Sequence, residues 1–319
     1  MGNKNIHRAK KAKNDEFYTR LEDIENELHH YRDCFKGKVV YCNCDDPRVS
    51  NFFHYFSYKF EDLGLKKLIA TCYGHGDIED FGHGDDESAV CIVYEGDKNG
   101  NLIPDREEIE VIPLKGNGDF RSPECIEFLK EADIVVTNPP FSLFREFIDL
   151  MMEYNKKFLI IGNSKAITCK EMFKYIKENR MRLGYFFNRT IWFEIPDTYE
   201  IRKGKKFRIN DNGKKEIKIT GGITWYTNLP IKKRNKKLIF VRKYNEKDYP
   251  KYDNYDAINV DKVADIPMDY YGVMGVPITF LDKYNPEQFE IVGYHNGGWK
   301  DFTVNGKHKY DRIHIRRID

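Results

Sequence analysis

Hydrophobic positions in the first two-thirds of the chain fall in short, nearly continuous runs separated by stretches of helical period. Lys38-Val39-Val40-Tyr41-Cys42-Asn43-Cys44 reads as a buried strand running into the turn Asp45-Asp46-Pro47. Ser50 then opens an aromatic-rich helix through Phe52, Phe53, Tyr55 and Phe56. Further strands are expected at 68–73, 109–114, 133–137 and 158–162, with helices at 123–131, 142–154 and 168–179 between the later ones. That rhythm predicts a doubly wound, mostly parallel α/β sheet, in which ligands bind at the carboxyl ends of the strands.

From Gly184 the pattern changes to strand-like runs at 190–195, 205–209, 216–220, 222–228 and 237–242, with Asp211-Asn212-Gly213 as a hairpin turn. The C-terminal part is rich in turn formers, among them Asn285-Pro286, Asn296-Gly297-Gly298 and Asn305-Gly306, and reads as a smaller, irregular region. The expected division is a first domain over residues 1–229 and a second region over 230–319.

Composition sets bounds on this picture. A chain of 319 residues with 40% hydrophobic and 14% aromatic positions has ample material for a packed interior, which excludes global disorder. No apolar run approaches the roughly 18 residues that cross a bilayer, and Met1 to Ile6 carries no apolar signal core. The seven cysteines are scattered without a CxxC pair, so reduced thiols in a cytoplasmic protein are expected, with no structural metal. The formal net charge of +2 hides a segregation. Residues 202–243 have fifteen Lys or Arg against Asp211 and Glu216, whereas residues 76–133 have seventeen acids against five bases. The first twenty residues add a balance of +4. Because the basic stretch also holds Phe207, Trp225 and Tyr226, it favours a polyanion over a merely solvated face, and nucleic acid is the natural candidate.

The segment that carries chemistry is Asn138-Pro139-Pro140-Phe141, which closes the strand Asp133–Thr137 and precedes a helix. Two consecutive prolines fix φ and remove two backbone donors, so the turn is rigid and its carbonyls point outward. The Asn138 side-chain carbonyl and the Pro139 backbone carbonyl can then accept both hydrogens of one exocyclic amine, while Phe141 offers a stacking surface. Such a site suits an amine whose lone pair is delocalised into a ring, as in adenine N6. The bland reading is a Pro-Pro turn capping a strand.

NPPF is also the catalytic motif of amino-methyltransferases that use S-adenosylmethionine. The wider pattern resembles the EcoRI-type adenine-specific DNA methyltransferases. The resemblance rests on Asn14-Asp15-Glu16-Phe17-Tyr18-Thr19, Tyr41 to Pro47, Gly118-Asp119-Phe120, NPPF, and Met274-Gly275-Val276-Pro277-Ile278-Thr279-Phe280-Leu281, and it covers nearly the whole chain. It implies a class I methyltransferase-like fold with a smaller C-terminal DNA-recognition region. It also implies S-adenosylmethionine as cofactor and N6-adenine methylation of double-stranded DNA, with the target base flipped into the NPPF site and Asn138, Pro139, Pro140 and Phe141 as the catalytic set.

By the same resemblance, Phe17, Tyr18 and Thr19 line the methionine end of the cofactor, against the plainer reading of a hydrophobic staple before the helix from Leu21. The turn holding Asn43, Asp45, Asp46 and Pro47 takes the amino-acid moiety, although it lacks the Gly-x-Gly usual for close backbone approach. Asp119 and Phe120 take the adenosine, against the reading of Asp119 as a plain helix cap; Asn138 borders the cofactor as well. A cognate restriction endonuclease is a candidate partner, a membrane is not, and a monomer is favoured over an obligate oligomer.

Weaker candidates complete the reading. Trp225 and Tyr226 lie on a strand that could present a ring to an extruded base, or belong to the core. Lys232, Lys233, Arg234, Lys236 and Lys237, with Lys307, Lys309, Arg312, Arg316 and Arg317 on a late hairpin, are expected DNA contacts that either clamp phosphates or read bases. Asp97 to Asn101 with Glu108 imitates an EF-hand loop, but Leu102 stands where glycine is required, so a hairpin turn is expected. His75 and His83 fit no common metal spacing. The rival functions are an RNA adenine or guanine amino-methyltransferase and an inactive DNA-binding protein of methyltransferase fold.

Overall fold

The structure, a computed structural model, describes residues 18–44, 46, 50–72, 89–187, 189–195, 199, 201, 204–294, 303–309 and 312–319. They group into two compact units, residues 1–164 with 186–230 and residues 165–185 with 231–319. Segment 165–185, which includes much of the expected helix 168–179, therefore groups with the C-terminal part of the chain.

The first unit is built on one mixed sheet. Its strands are β1 (Tyr18–Thr19), β2 (Val39–Asn43), β3 (Lys67–Thr71), β4 (Val90–Tyr94), β5 (Ile109–Pro113), β6 (Ile134–Thr137) and β7 (Lys157–Asn163). After β8 (Arg182–Leu183), which belongs to the second unit, follow β9 (Arg189–Glu194), β10 (Phe207–Ile209) and β11 (Lys215–Thr227). The order is β1-β9-β11-β7-β6-β2-β3-β4-β5, with β10 paired to β11. Only β7-β6-β2-β3 run parallel; β4 and β5 on one flank and β11, β9 and β1 on the other are antiparallel. The parallel run is thus narrower than the mostly parallel sheet the alternation predicts. The apolar strand β4, absent from the expected set, separates β3 from β5. The two runs expected at 216–220 and 222–228 are one strand with an irregularity between Ile219 and Ile223.

Helices α1 (Leu21–Leu28), α2 (Asn51–Tyr58), α3 (Phe60–Leu63), α4 (Pro123–Glu131) and α5 (Phe144–Glu153) pack around this sheet. Ser50 caps α2, its hydroxyl accepting the Phe52 N–H at 3.2 Å. Neighbouring side chains on a strand point to opposite faces. On β11, Trp225 meets the Phe52 ring of α2 at 6.1 Å and Tyr226 meets the Phe144 ring of α5 at 5.0 Å, so α2 and α5 cover opposite faces. The register Tyr226–Ile160, Phe158–Val135 and Val135–Tyr41 puts Tyr41 on the α5 face, where it packs on Phe128 of α4.

The second unit has α6 (Lys170–Lys177) and the strands β12 (Ile258–Asn259), β13 (Met274–Pro277), β14 (Phe289–Tyr294), β15 (Thr303–Val304), β16 (Lys307–His308) and β17 (Arg312–Arg317). A four-stranded sheet in the order β12-β13-β17-β14 buries Met274, Val276, Phe289, Ile313 and Ile315. β15 and β16 form a hairpin whose turn, Asn305-Gly306, donates both N–H groups to the Asp253 carboxylate. The strand expected at 237–242 does not form. There Leu238 exchanges hydrogen bonds with the Gln288 side chain, at 2.6 and 3.0 Å, in place of a neighbouring strand, and Ile239 and Val241 are 88% and 80% exposed.

Candidate active site

The site is set by the carboxyl edge of the four parallel strands. The chain passes from β2 to β3 on one side and later returns to β6 and β7 on the other, so the strand order reverses between β2 and β6. Such a switch point leaves a crevice beyond the strand ends. Asn43 ends β2 and Thr137 ends β6, and the Thr137 hydroxyl donates to the Asn43 carbonyl, pinning the two ends together. On the other side of β2, the Tyr41 and Thr71 hydroxyls are 2.7 Å apart, which fixes the end of β3 in the same way.

Asn138 follows Thr137 directly and is 7% exposed; Pro139 is buried, while Pro140 and Phe141 are half-buried. The Pro140 carbonyl accepts the Leu143 N–H at 2.9 Å and starts a short 3-10 turn over Phe141–Leu143, which continues into α5. The first α5 residue, Phe144, braces this turn from below. Its ring fills the space above Gly162, where a Cβ would lie 2.3 Å from the ring. The four NPPF residues therefore sit on a rigid corner beside the switch point.

Among the described residues, Oδ1 of Asn43, a residue 3% exposed, and Oγ1 of Thr19, a residue 1% exposed, are buried without a hydrogen-bond partner. Leaving such an atom unsatisfied costs about 1–3 kcal/mol, which a polar ligand would offset. Thr19 is drawn to the start of α2 by Asn51, whose side-chain amide donates to the Thr19 carbonyl at 2.8 Å. Tyr18 is half-buried beside it, and Asp46 accepts the Ser50 N–H at 2.7 Å through its carbonyl. Cys44, the residue after Asn43, takes a φ of 81°, the left-handed conformation that a glycine would otherwise supply in this turn. Phe17, Asp45 and Pro47 lie outside the described residues, as do His75 and His83.

Asp119 and Phe120 reach the same edge through Gly118. Gly118 has a φ of 71°, and a Cβ there would lie 1.9 Å from the Cys72 carbonyl oxygen just past β3. Only glycine lets this turn close on the strand end. Asp119 is not the helix cap: the Ser122 hydroxyl accepts the Cys125 N–H at 3.2 Å and caps α4. The Asp119 carboxylate instead accepts the Arg121 N–H, Nε–H and terminal N–H at 2.7–2.9 Å, and this guanidinium holds its pKa below the usual carboxylate range. Arg121 also lies over the Phe120 ring, 5.1 Å from its centroid, and bonds Glu146 at 2.7 Å.

The remaining expected residues are distributed differently. Trp225 and Tyr226 are buried, packed on Phe52 and Phe144, and the Tyr226 hydroxyl donates to the Asn163 carbonyl at 2.8 Å. Neither has a face open to a base. Of the lysine run, Lys232, Lys236 and Lys237 are exposed, and Lys237 pairs with Asp319 at 3.3 Å. Lys233 binds the Tyr185 carbonyl and Asp282, and Arg234 binds Asn179 under the Tyr284 ring, its pKa lowered to about 10 by burial. Lys309 and Arg312 share Asp261, Arg316 pairs with Glu290, and Arg317 with Asp319; Lys307 is exposed. The EF-hand-like loop is a self-bonded turn, with Asp97 accepting the Gly100 and Leu102 N–H groups and Glu108 those of Lys98 and Asn99. Among the described residues no His, Cys, Asp and Glu cluster is arranged for a metal ion, and no helix is long and apolar enough to cross a membrane.

An amide and an aromatic on a proline corner, beside the switch point of an α/β sheet, fit a methyltransferase acting on an exocyclic amine. The model of the family described as adenine-specific methyltransferase EcoRI matches residues 5–318, and the chain belongs to that family. It is 53% identical to the Type II methyltransferase M.EcoRI of Escherichia coli, over 98% of this chain and 96% of that protein. It is 41% identical to the Type II methyltransferase M.MgeORF184P of Mycoplasma genitalium and 38% identical to the Type II methyltransferase M.MpnI of Mycoplasma pneumoniae, each over 98% of both chains. No solved structure matched the chain.

Proposed function

We propose that this chain methylates N6 of adenine in double-stranded DNA, with S-adenosylmethionine as donor, in a class I, doubly wound core formed by the four parallel strands and the helices on their two faces. The observation that carries the reading is Asn138 on its proline corner, one residue past the tie between Asn43 and Thr137. Family membership and the Type II methyltransferase names of the relatives support the same reading, and with it a restriction endonuclease as cognate partner.

The orphaned oxygens of Asn43 and Thr19 and the close turn at Gly118 fit a polar, adenosine-bearing ligand. Tyr18, Thr19, Asn43 and Asp46 would hold its amino-acid end, with Phe17, Asp45 and Pro47 from the same segments. Asp119 and Phe120 would hold its adenosine. Bound there, S-adenosylmethionine supplies an electrophilic methyl group on a sulfonium. The protein's own part is to position the attacking amine. The target adenine leaves the stack, at a cost of a few kcal/mol, and lies against Phe141. Asn138 Oδ1 and the Pro139 carbonyl accept the two N6 hydrogens, which draws the nitrogen toward tetrahedral geometry and aims its lone pair. The amine attacks as a neutral group and loses its proton only after transfer, so no strong base is required beforehand, and positioning supplies much of the acceleration.

The test is transfer of labelled methyl to unmethylated duplex DNA, with structured RNA in parallel, followed by nucleoside analysis. N6-methyladenine in DNA is the expected product; label in RNA alone, or in neither, overturns the reading. In Asn138→Ala the fold and cofactor binding should persist while kcat falls at least about 100-fold. Turnover near wild type would remove Asn138 from the mechanism.

A further inference from the structure

The basic segment 202–243 contains the hairpin of β10 and the first half of β11. Residues 204–218 carry six bases against Asp211 and Glu216. Of the two acids, Glu216 is buried and accepts bonds from Arg208 at 2.6 Å and Asn210 at 3.2 Å, whereas Asp211 is exposed at the turn. Lys205 and Lys206 are exposed.

The two faces of the hairpin differ. On one, Arg208 lies 4.3 Å from the centroid of the Trp192 ring, and Asn210 and Lys214 bind Glu194 at 3.3 and 2.9 Å, which fixes the hairpin to β9. On the other, Phe207 and Ile209 stand 56% and 65% exposed. Single exposed apolar residues are ordinary. Two of them, alternating along one rigid strand and preceded by Lys205 and Lys206, make a patch with a definite chemistry.

Its position is fixed by strand register. Ile223 pairs with Asn163, the last residue of β7, and β11 runs antiparallel to β7, so residues 215–219 extend past the carboxyl end of β7. This is the edge that carries Asn138. Phe207 pairs with Ile217, six residues before Ile223, hence at most about 20 Å beyond that strand end.

We propose that this hairpin is a contact for duplex DNA, with Phe207 and Ile209 entering a groove against the base pairs beside the flipped adenine, and Lys205 and Lys206 neutralising the flanking phosphates. The proposal rests on the DNA reading above. An apolar wedge stabilises an opened stack by replacing lost base contacts, and a hairpin already held by Trp192, Glu194 and Glu216 requires little ordering on binding.

The experiment uses the full chain and a fluorescein-labelled duplex that the wild-type chain methylates. Phe207→Ala/Ile209→Ala should weaken duplex binding roughly tenfold, leaving the slope of log K against log salt unchanged. Lys205→Gln/Lys206→Gln should reduce that slope by about 1.8. Both variants should keep wild-type S-adenosylmethionine affinity and circular dichroism. Wild-type duplex affinity in the apolar variant overturns the proposal. So does a changed sedimentation coefficient with unchanged duplex affinity, which would assign the patch to a second copy of the chain. If the wild-type chain methylates no duplex at all, the fault lies in the earlier reading, and the two failures are thereby distinguished.

Discussion

Gly118 makes the most specific single-residue demand at the site. Its backbone passes so close to the Cys72 carbonyl that a Cβ would overlap the oxygen at 1.9 Å, and its φ of 71° is itself unfavourable to an L side chain. Gly118→Ala must therefore push the Asp119 turn away from the end of β3. It should cost about 2 kcal/mol or more in unfolding free energy and weaken cofactor binding. Gly213, with a φ of 76° but nothing within 4 Å of its Cβ position, is the control, since alanine there meets only backbone strain of about 1–2 kcal/mol. Equal effects in denaturant unfolding would mean that close approach to Cys72 contributes nothing. The glycine in Gly118-Asp119-Phe120 is plain in the sequence; that its neighbour is a carbonyl 46 residues earlier is not.

At the scale of elements, Arg121 directly precedes the Ser122 cap of α4, and it ties the Asp119 carboxylate down. A carboxyl held below its ordinary pKa stays charged at neutral pH, and the interactions it makes as an anion fade as pH falls through the lowered value. Without the guanidinium that fading begins at higher pH. In Arg121→Gln the acid limb of S-adenosylmethionine affinity, followed by calorimetry from pH 7 to pH 4, should move upward. An acid limb identical to wild type would show that Asp119 does not meet the cofactor. Ser122→Ala, by contrast, removes only the cap of α4 and should cost about 1 kcal/mol of stability with the acid limb unmoved.

Elements with strong local signals were legible. The helix over 123–131 is found with Pro123 at its first position and Ser122 before it, and the strands ending in Asn43 and Thr137 lie where apolar runs meet turn residues. Where pairing partners decide, local pattern was insufficient. Residues 237–242 alternate like a strand but pair with no strand among the described residues, Leu238 bonding a glutamine side chain and the Arg242 carbonyl accepting the Met268 N–H, whereas Val90–Tyr94 becomes a strand because β3 and β5 flank it on either side.

For the whole molecule, charge segregation makes DNA affinity a steep function of salt. The structure narrows the set of cations that can contribute. Lys232 and Lys236 are exposed, while Lys233 holds Tyr185 and Asp282. Lys232→Gln/Lys236→Gln should therefore lower the slope of log K against log salt by about 1.8 without loss of stability. Lys233→Gln should lower the thermal midpoint instead, because it leaves a carboxylate and a carbonyl without their donor. A lysine run with uniform effects at all three positions would contradict this division.

The sequence by itself determined the chemistry: a proline-fixed corner with an amide and an aromatic, the order of the segments around it, and the alternation that places it at a strand end. These follow from bonded geometry and periodicity, which are local. Tertiary structure alone decided which strands flank the parallel centre, that Trp225 and Tyr226 face inward, and that much of the basic tail is paired internally. It also decided that the hairpin at Phe207 overhangs the edge carrying Asn138. Each of these depends on partners far apart in the chain, and neither burial nor pairing is set until those partners meet.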